Sequence, residues 1–381
     1  MADADLLDGR CDPRFAAVAD AFAAGFANGR ELGASLAIEV NGRPVVDLWG
    51  GHLDEARSRP WERDTIACTF SCTKGLAAIA LLMLVDRGVV DLDAPVAKWW
   101  PEFGAAGKAD LPVRFLLTHE AGLSAITRPM PFGSLSDWEA MTDALAEQAP
   151  SWEPGTAHGY HGVTFGHLVG EVVRRADGRT IGTFLRDEVV SPLGVDCFLG
   201  LPAAEDARTA DMAIELVEGA PTFFSHWKPD GLGSKSFGNP PDCNVIEHTN
   251  TRAFRSAEIP AANAHANARA LARIYGAYGR GELVAPDLVT ESGRIHVDGH
   301  DVVMDLPSRF GLGFEITMPD DEFSFGPGAR TFGHNGSGGS LGVLDPDAGI
   351  ALGYVMNRMQ WTTRRDDARW FPILDALYAA L

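Results

Sequence analysis

Residues 71–87 read SCTKGLAAIALLMLVDR. After Ser71, the residues Leu76, Ala77, Ile79, Ala80, Leu82, Met83, Leu84 and Val85 place apolar side chains almost all round a helical projection. That is the pattern of a helix enclosed on several sides rather than one lying on a surface. A central helix is therefore expected from Ser71, with Lys74 one turn on and on the same face.

An enclosed helix needs layers around it, and the two ends of the chain supply them. Asp12-Pro13 starts a helix in which Phe15, Val18, Phe22 and Phe26 recur at helical spacing until Gly29. Leu36-Ala37-Ile38-Glu39-Val40 and Val45-Val46-Asp47-Leu48-Trp49 flank Asn41-Gly42. This is a hairpin signal, with Arg43-Pro44 read as extra loop residues. Near the other end, strands are expected at 311–316, 340–344 and 350–355, the last two joined by the turn Asp345-Pro346-Asp347-Ala348-Gly349. A final helix is expected from about Asp366 to Leu381.

Between these ends, from about 90 to 210, the periodicity stays helical, as in Phe165, Leu168, Val169, Val172 and Val173. The expectation is an α/β (α+β) protein. One mixed, mainly antiparallel sheet built from both ends of the chain is flanked by helices, with an all-helical domain inserted. The corresponding limits are 1–68 and 216–381 for the α/β domain and 69–215 for the helical domain. The segment from Pro221 to Pro260 is rich in Gly, Pro and polar residues yet carries Phe223, Phe224, Trp227, Phe237 and Phe254. Such a loop suits the lining of a pocket.

Composition narrows the function classes. The 381 residues, 46% hydrophobic and 22% charged, are ordinary for a globular chain, and no run of about 18 apolar residues is present to span a bilayer. A net charge of -20 repels phosphate backbones and anionic membranes, so neither nucleic acid nor membrane is an expected partner. Cys11, Cys68, Cys72, Cys197 and Cys243 form no C-x-x-C pair and are odd in number, which fits reduced thiols. With an acidic start lacking a basic, apolar leader pattern, a cytoplasmic location is expected.

Four chemistries compete. Ser71-Cys72-Thr73-Lys74 is S-x-x-K at a helix start, where free backbone N–H groups favour negative charge and an enclosed lysine loses its proton more readily. The bland alternative is an N-cap serine with a snorkelling lysine. Ser225-His226-Trp227-Lys228 repeats the pattern, but Pro229-Asp230-Gly231 follows, and no helix holds that pair together. Gly338-Gly339-Ser340-Leu341-Gly342 fits a G-x-S-x-G nucleophile elbow, which needs a helix after it. Here a strand follows, and the same glycines lack the context of a dinucleotide site. For a metal, His158, His161 and His167, or His296 and His300, form no H-E-x-x-H, and capping or solvent exposure is their expected fate. No metal or cofactor is expected.

With S-x-x-K placed on a helix, three further segments bring a resemblance into view. Phe70 to Gly75, Leu116-Leu117-Thr118-His119-Glu120-Ala121-Gly122-Leu123, Glu153-Pro154-Gly155 through Tyr160-His161-Gly162, and His334-Asn335-Gly336-Ser337 occur in that order. Together the chain resembles the serine β-lactamase and penicillin-binding-protein superfamily, class C branch, over roughly positions 15 to 380. The resemblance implies that Ser71 is the acylated nucleophile, that Lys74 deprotonates it, and that Tyr160 exchanges a proton with nucleophile and leaving group. It also implies an oxyanion hole of the Ser71 and Ser337 N–H groups, with His334, Asn335, Gly336 and Gly162 around the substrate. Tyrosine, with an ordinary pKa of about 10, acts as a base only where cations lower it.

Two departures bear on substrate. The asparagine that ends the second motif of class C β-lactamases is Gly162 here, and the lysine of the third motif is His334. A histidine with its ordinary pKa is largely neutral at pH 7 and anchors a carboxylate less well than lysine. The sequence is more similar to the family VIII carboxylesterases, and the aromatic residues Phe132, Trp138, Trp152, Phe223, Phe224 and Trp227 suit an apolar acyl or alcohol part. A small-molecule ester is the expected substrate. A β-lactamase or D-alanyl peptidase activity on the same residues is one alternative, and a non-catalytic ligand-binding relative is another. No oligomeric state is assigned.

Overall fold

A computed structural model describes residues 7–215, 227–244, 246–318, 324–360 and 369–381. Nine strands form one antiparallel sheet whose order interleaves the two ends of the chain. From one edge the strands run Asp8–Cys11, Arg43–Gly51, Gly33–Val40, Ile350–Met356, Leu341–Asp345, Phe332–Asn335, Glu315–Ile316, Leu306–Phe310 and Val297–Asp301. The seam is the ladder between Gly33–Val40 and Ile350–Met356, where Ala34 faces Met356 and Val40 faces Ile350. Both of these strands are almost wholly buried, as central strands covered on two faces must be.

Helices cover both faces. On one, Ala16–Ala27 packs against the last helix, Trp370–Ala379. Phe22 meets Phe26 and Tyr354 edge to face, with ring centroids 5.3 and 6.2 Å apart. On the other, Ala268–Gly279 lies across Ile350–Met356 and Gly33–Val40. The central helix, Cys72–Asp86, is held between the strand Phe332–Asn335 and the helix Thr164–Asp177. Every residue from Cys72 to Leu84 is buried, the enclosure that the apolar run predicts.

Two strand expectations change. Arg43 pairs with Val40, so the amino-terminal hairpin turns on Asn41-Gly42 alone, both with positive φ (51° and 75°). The irregularity assigned to Arg43-Pro44 is a register shift at Ile38/Glu39 instead. Of 311–316 only Glu315–Ile316 is strand. Gly311 to Phe314 is a tight turn in which Gly311 N donates to Phe314 O (2.9 Å) and Gly313 N to Leu117 O (3.1 Å). A Cβ on Gly313 would lie 2.4 Å from that of Ala78, so only glycine lets this turn seat on the central helix.

All five cysteines are free thiols. Among the described residues, no helix is long and apolar enough to cross a membrane. Phe223, Phe224, Ser225 and His226 lie outside the described residues, as does the expected helix start at Asp366.

Phe22 joins the helix Ala16–Ala27 to the seam strand far from Ser71. Phe22→Ala is expected to cost about 3–5 kcal/mol in denaturant unfolding, because the cavity it leaves is walled by strands that cannot collapse. Activity measured well below the melting temperature should stay at the wild-type value.

Candidate active site

The approach to Ser71 is held in a bent backbone. Phe70 has φ 44°, a left-handed conformation that costs a bulky residue about 1–3 kcal/mol. Its neighbours hold it there. Thr69 N and Oγ1 both donate to Ala264 O (2.8 and 3.0 Å), while Thr73 Oγ1 donates to Phe70 O (2.5 Å) and accepts from Ala264 N (2.9 Å). The bend delivers Ser71 to the N-terminus of the central helix, where its side chain makes no capping hydrogen bond. Its hydroxyl is engaged by Lys74, whose Nζ lies 3.0 Å from Ser71 Oγ and 3.0 Å from Ala261 O. The N-cap alternative is thereby set aside.

Lys74 is fully buried. Burial pulls its pKa down to about 7, and the nearby Glu315 carboxylate and Cys72 oppose that fall. A large share of the amine is then neutral near pH 7 and able to accept a proton from a hydroxyl 3.0 Å away. Lys74 Nζ also sits 4.7 Å from the ring centroid of Tyr160. The structure therefore brings Ser71, Lys74 and Tyr160 together from the central helix and the loop before Thr164–Asp177.

Tyr160 is placed by a residue with no motif to announce it. Its N–H donates to both oxygens of Asp301 (3.1 and 3.0 Å). That buried carboxylate also accepts from Val303 N, Met304 N and Ser308 Oγ at 2.9, 2.8 and 3.1 Å. Desolvation raises the Asp301 pKa, and these donors counter it. Asp301 thus ties the Tyr160 loop to the far edge of the sheet.

The four residues from His334 lie beside Ser71 without all facing outward. Cys72 Sγ donates to His334 O (3.2 Å), and the His334 ring is 1% exposed, 6.0 Å from the Tyr160 ring. Its Nδ1 lies 2.8 Å from Asn335 O and 4.0 Å from Glu315 Oε1. The Asn335 amide donates to Glu315. Gly336 packs on Thr69, since a Cβ there would lie 2.2 Å from Thr69 O. No protein acceptor takes the N–H of Ser71 or of Ser337 among the described residues. Backbone donors left open in this way are of the kind that can receive a developing oxyanion.

The rival residues are placed elsewhere. Ser340 is fully buried and leads into a strand, with no helix after it. Lys228 lies in a turn closed by Gly231 N on its carbonyl (2.9 Å), outside any helix. His158, His161 and His167 are buried rather than capping or exposed, the first two held by hydrogen bonds and the third by ring packing. His158 Nε2 meets Ser308 Oγ at 3.0 Å. His161 Nε2 accepts from Leu123 N (2.9 Å) with Nδ1 on Gly159 O (2.7 Å), and burial lowers its pKa to about 4. His167 packs on Trp138. Among the described residues no cluster of three or more His, Cys, Asp or Glu is arranged to hold a metal ion.

One wall of the site is aromatic. Trp227 stacks on Phe237 (5.2 Å, 26°), Phe237 on Tyr160 (6.4 Å, 26°) and Tyr160 on Phe310 (6.1 Å, 10°). Met304 and Leu306 pack against this row. Gly162 makes room for it, since a Cβ at that position would lie 2.2 Å from Phe237 Cζ. The space in which a longer side chain at 162 would stand is therefore filled by a ring. Phe132, by contrast, is exposed and meets His248, while Trp138 donates to Glu171.

Residues 18–376 match the family described as Beta-lactamase. The chain is 38% identical over 370 residues to the esterase/beta-lactamase LipL of Mycobacterium tuberculosis, covering 92% of this chain and 83% of that protein. A crystal structure of a family VIII carboxylesterase superposes with a TM-score of 0.89 at 38% identity, over 98% of this chain and all of that one. A penicillin-binding-protein homolog from Caulobacter crescentus gives the same TM-score, 0.89, and the same identity, 38%.

The contact between residues 162 and 237 is open to a double-mutant cycle. Gly162→Ala is expected to destabilise the protein by about 1–3 kcal/mol through overpacking against the Phe237 ring. In the Phe237→Ala background the same substitution should cost little, a coupling on the order of 1 kcal/mol in denaturant unfolding.

Proposed function

The chain belongs to the beta-lactamase family, and on that footing we propose that it is a serine carboxylesterase that hydrolyses small to medium acyl esters through an acyl-enzyme on Ser71. The observation that carries the reading is the 3.0 Å contact between Ser71 Oγ and the buried Lys74 amine. In the first step neutral Lys74 takes the Ser71 proton as Oγ attacks the ester carbonyl. The oxyanion forms against the N–H groups of Ser71 and Ser337. Tyr160, beside the Lys74 ammonium, passes a proton to the departing alkoxide as the C–O bond breaks. Water then attacks the acyl-serine, giving its proton back through the same pair, and the carboxylic acid leaves with Ser71 restored.

The aromatic row of Trp227, Phe237, Tyr160 and Phe310 supports an apolar acyl or alcohol group, which it can cover without polar partners. The second reading, a β-lactamase or D-alanyl peptidase on the same residues, is disfavoured by the same row. A β-lactam side-chain amide would find a phenyl ring beside Gly162 in place of an asparagine.

Turnover of a p-nitrophenyl butyrate is expected to exceed that of a chromogenic cephalosporin by at least about 100-fold in kcat/KM, a gap of the size set by unpaired polar groups. Faster cephalosporin turnover would favour the second reading. Ser71→Ala should lower kcat by at least about 10³-fold while Ser340→Ala, folded, keeps most of it. Since the neutral amine is the reactive form, kcat/KM should rise with pH and level off above an apparent pKa of about 7. A profile flat from pH 5 to 9 would remove Lys74 as the base.

A further inference from the structure

The turn Gly336 to Gly339 is a closed one: Gly339 N donates to Gly336 O (3.1 Å) and Gly336 N to Ser340 O (2.8 Å). Because a trans peptide sets C=O and N–H on opposite sides, the Gly336 carbonyl held inside the turn forces the Ser337 N–H to point out of it. The turn itself carries little to hold it in that orientation. Gly338 and Gly339 have φ of 83° and 131° and contribute no side chains. What holds it comes from the start of the last helix, behind the sheet.

Arg369 Nη1 donates to Gly338 O (2.6 Å), its Nη2 to Arg358 O (2.9 Å), and its Nε lies 3.0 Å from Glu31 Oε1. Trp370 Nε1 donates to Gly339 O (2.8 Å). Arg369 and Glu31 are 4% and 1% exposed, so the ion pair is withdrawn from water, where removing one member of a buried pair is costly. A Cβ on Gly339 would lie 2.2 Å from Arg369 Nη1, so the guanidinium is seated directly against the turn. Its planar fork of donors grips two carbonyls at once in a fixed geometry, which the single point charge of a lysine does not impose.

We propose that Arg369, assisted by Trp370 and charge-balanced by Glu31, is a positioning residue for the oxyanion hole. Arg369 draws the Gly338 carbonyl backward and Trp370 the Gly339 carbonyl, which together keep the Ser337 N–H aimed at the substrate side. This rests on the reading of Ser71 and Ser337 given under Proposed function. A donor that wanders by a fraction of an ångström loses most of its effect on a charge that develops only in the transition state, while ground-state binding barely changes.

The test is Arg369→Met made together with Glu31→Gln, so that no buried charge is left alone, alongside Arg369→Lys, Trp370→Phe and Phe22→Ala. Each is assayed well below its melting temperature on p-nitrophenyl butyrate and titrated with a trifluoromethyl ketone, whose serine adduct carries an oxyanion. The expected result is a fall in kcat on the order of 100-fold for the double variant and about 3- to 10-fold for Trp370→Phe, with KM within about threefold of wild type. Ketone affinity should fall in step with kcat, with Arg369→Lys intermediate. Phe22→Ala, destabilised but remote, should keep wild-type kcat and ketone affinity. If the double variant fails to fold, Trp370→Phe alone decides. A wild-type kcat in the folded variants, or losses no larger than those of Phe22→Ala, would overturn the proposal. Survival of activity in Ser71→Ala would instead overturn the reading on which it rests.

Discussion

Everything at this site depends on keeping one amine dry. Lys74 stands one helical turn after Ser71, buried among the central helix, the sheet and the Tyr160 loop, and its pKa is drawn down to about 7 by that burial. In water the same amine would be protonated and useless as a base. The fold meets the cost of desolvation by giving Nζ two close polar partners, Ser71 Oγ and Ala261 O, and a tyrosine face. Glu315 nearby keeps the pKa from falling further, so the amine still holds a proton readily once it has taken one.

The remaining architecture is arranged around that burial. The central helix is apolar on all sides because sheet and helices must close over it completely. The sheet joins the two ends of the chain at its seam strands, Gly33–Val40 and Ile350–Met356, which are covered on both faces. The last helix serves twice: its apolar side packs on Ala16–Ala27, and its first turn grips the loop after Phe332–Asn335 from behind. Asp301 does a similar service for the Tyr160 loop from the sheet edge.

Much of this was legible in the sequence because it rests on local periodicity. The run after Ser71, the Asn41-Gly42 hairpin and the Leu341–Asp345/Ile350–Met356 pair each carry their own pattern. The strands Asp8–Cys11, Val297–Asp301 and Leu306–Phe310 carry no clear sequence pattern because they lie at or near the sheet edges, where polar residues and a proline are tolerated and alternation is weak. Gly311 to Phe314 looked like strand because its apolar residues are buried, though in a turn. Of the site, Ser71 and Lys74 could be paired from spacing alone. Phe237, Asp301, Glu315 and Arg369 could not, since each acts across the fold; Asp301 reaches Tyr160 over 141 residues of chain. No pattern in one sequence encodes a contact of that kind.

The most direct measurement is chemical. The protein is treated with a fluorophosphonate near pH 7 and again at pH 5.5, and the modified residue is mapped by mass spectrometry. The account predicts a single adduct on Ser71, formed faster at the higher pH as the Lys74 amine loses its proton. An adduct on Ser340 or Ser225, or labelling at Ser71 with no dependence on pH, would contradict it.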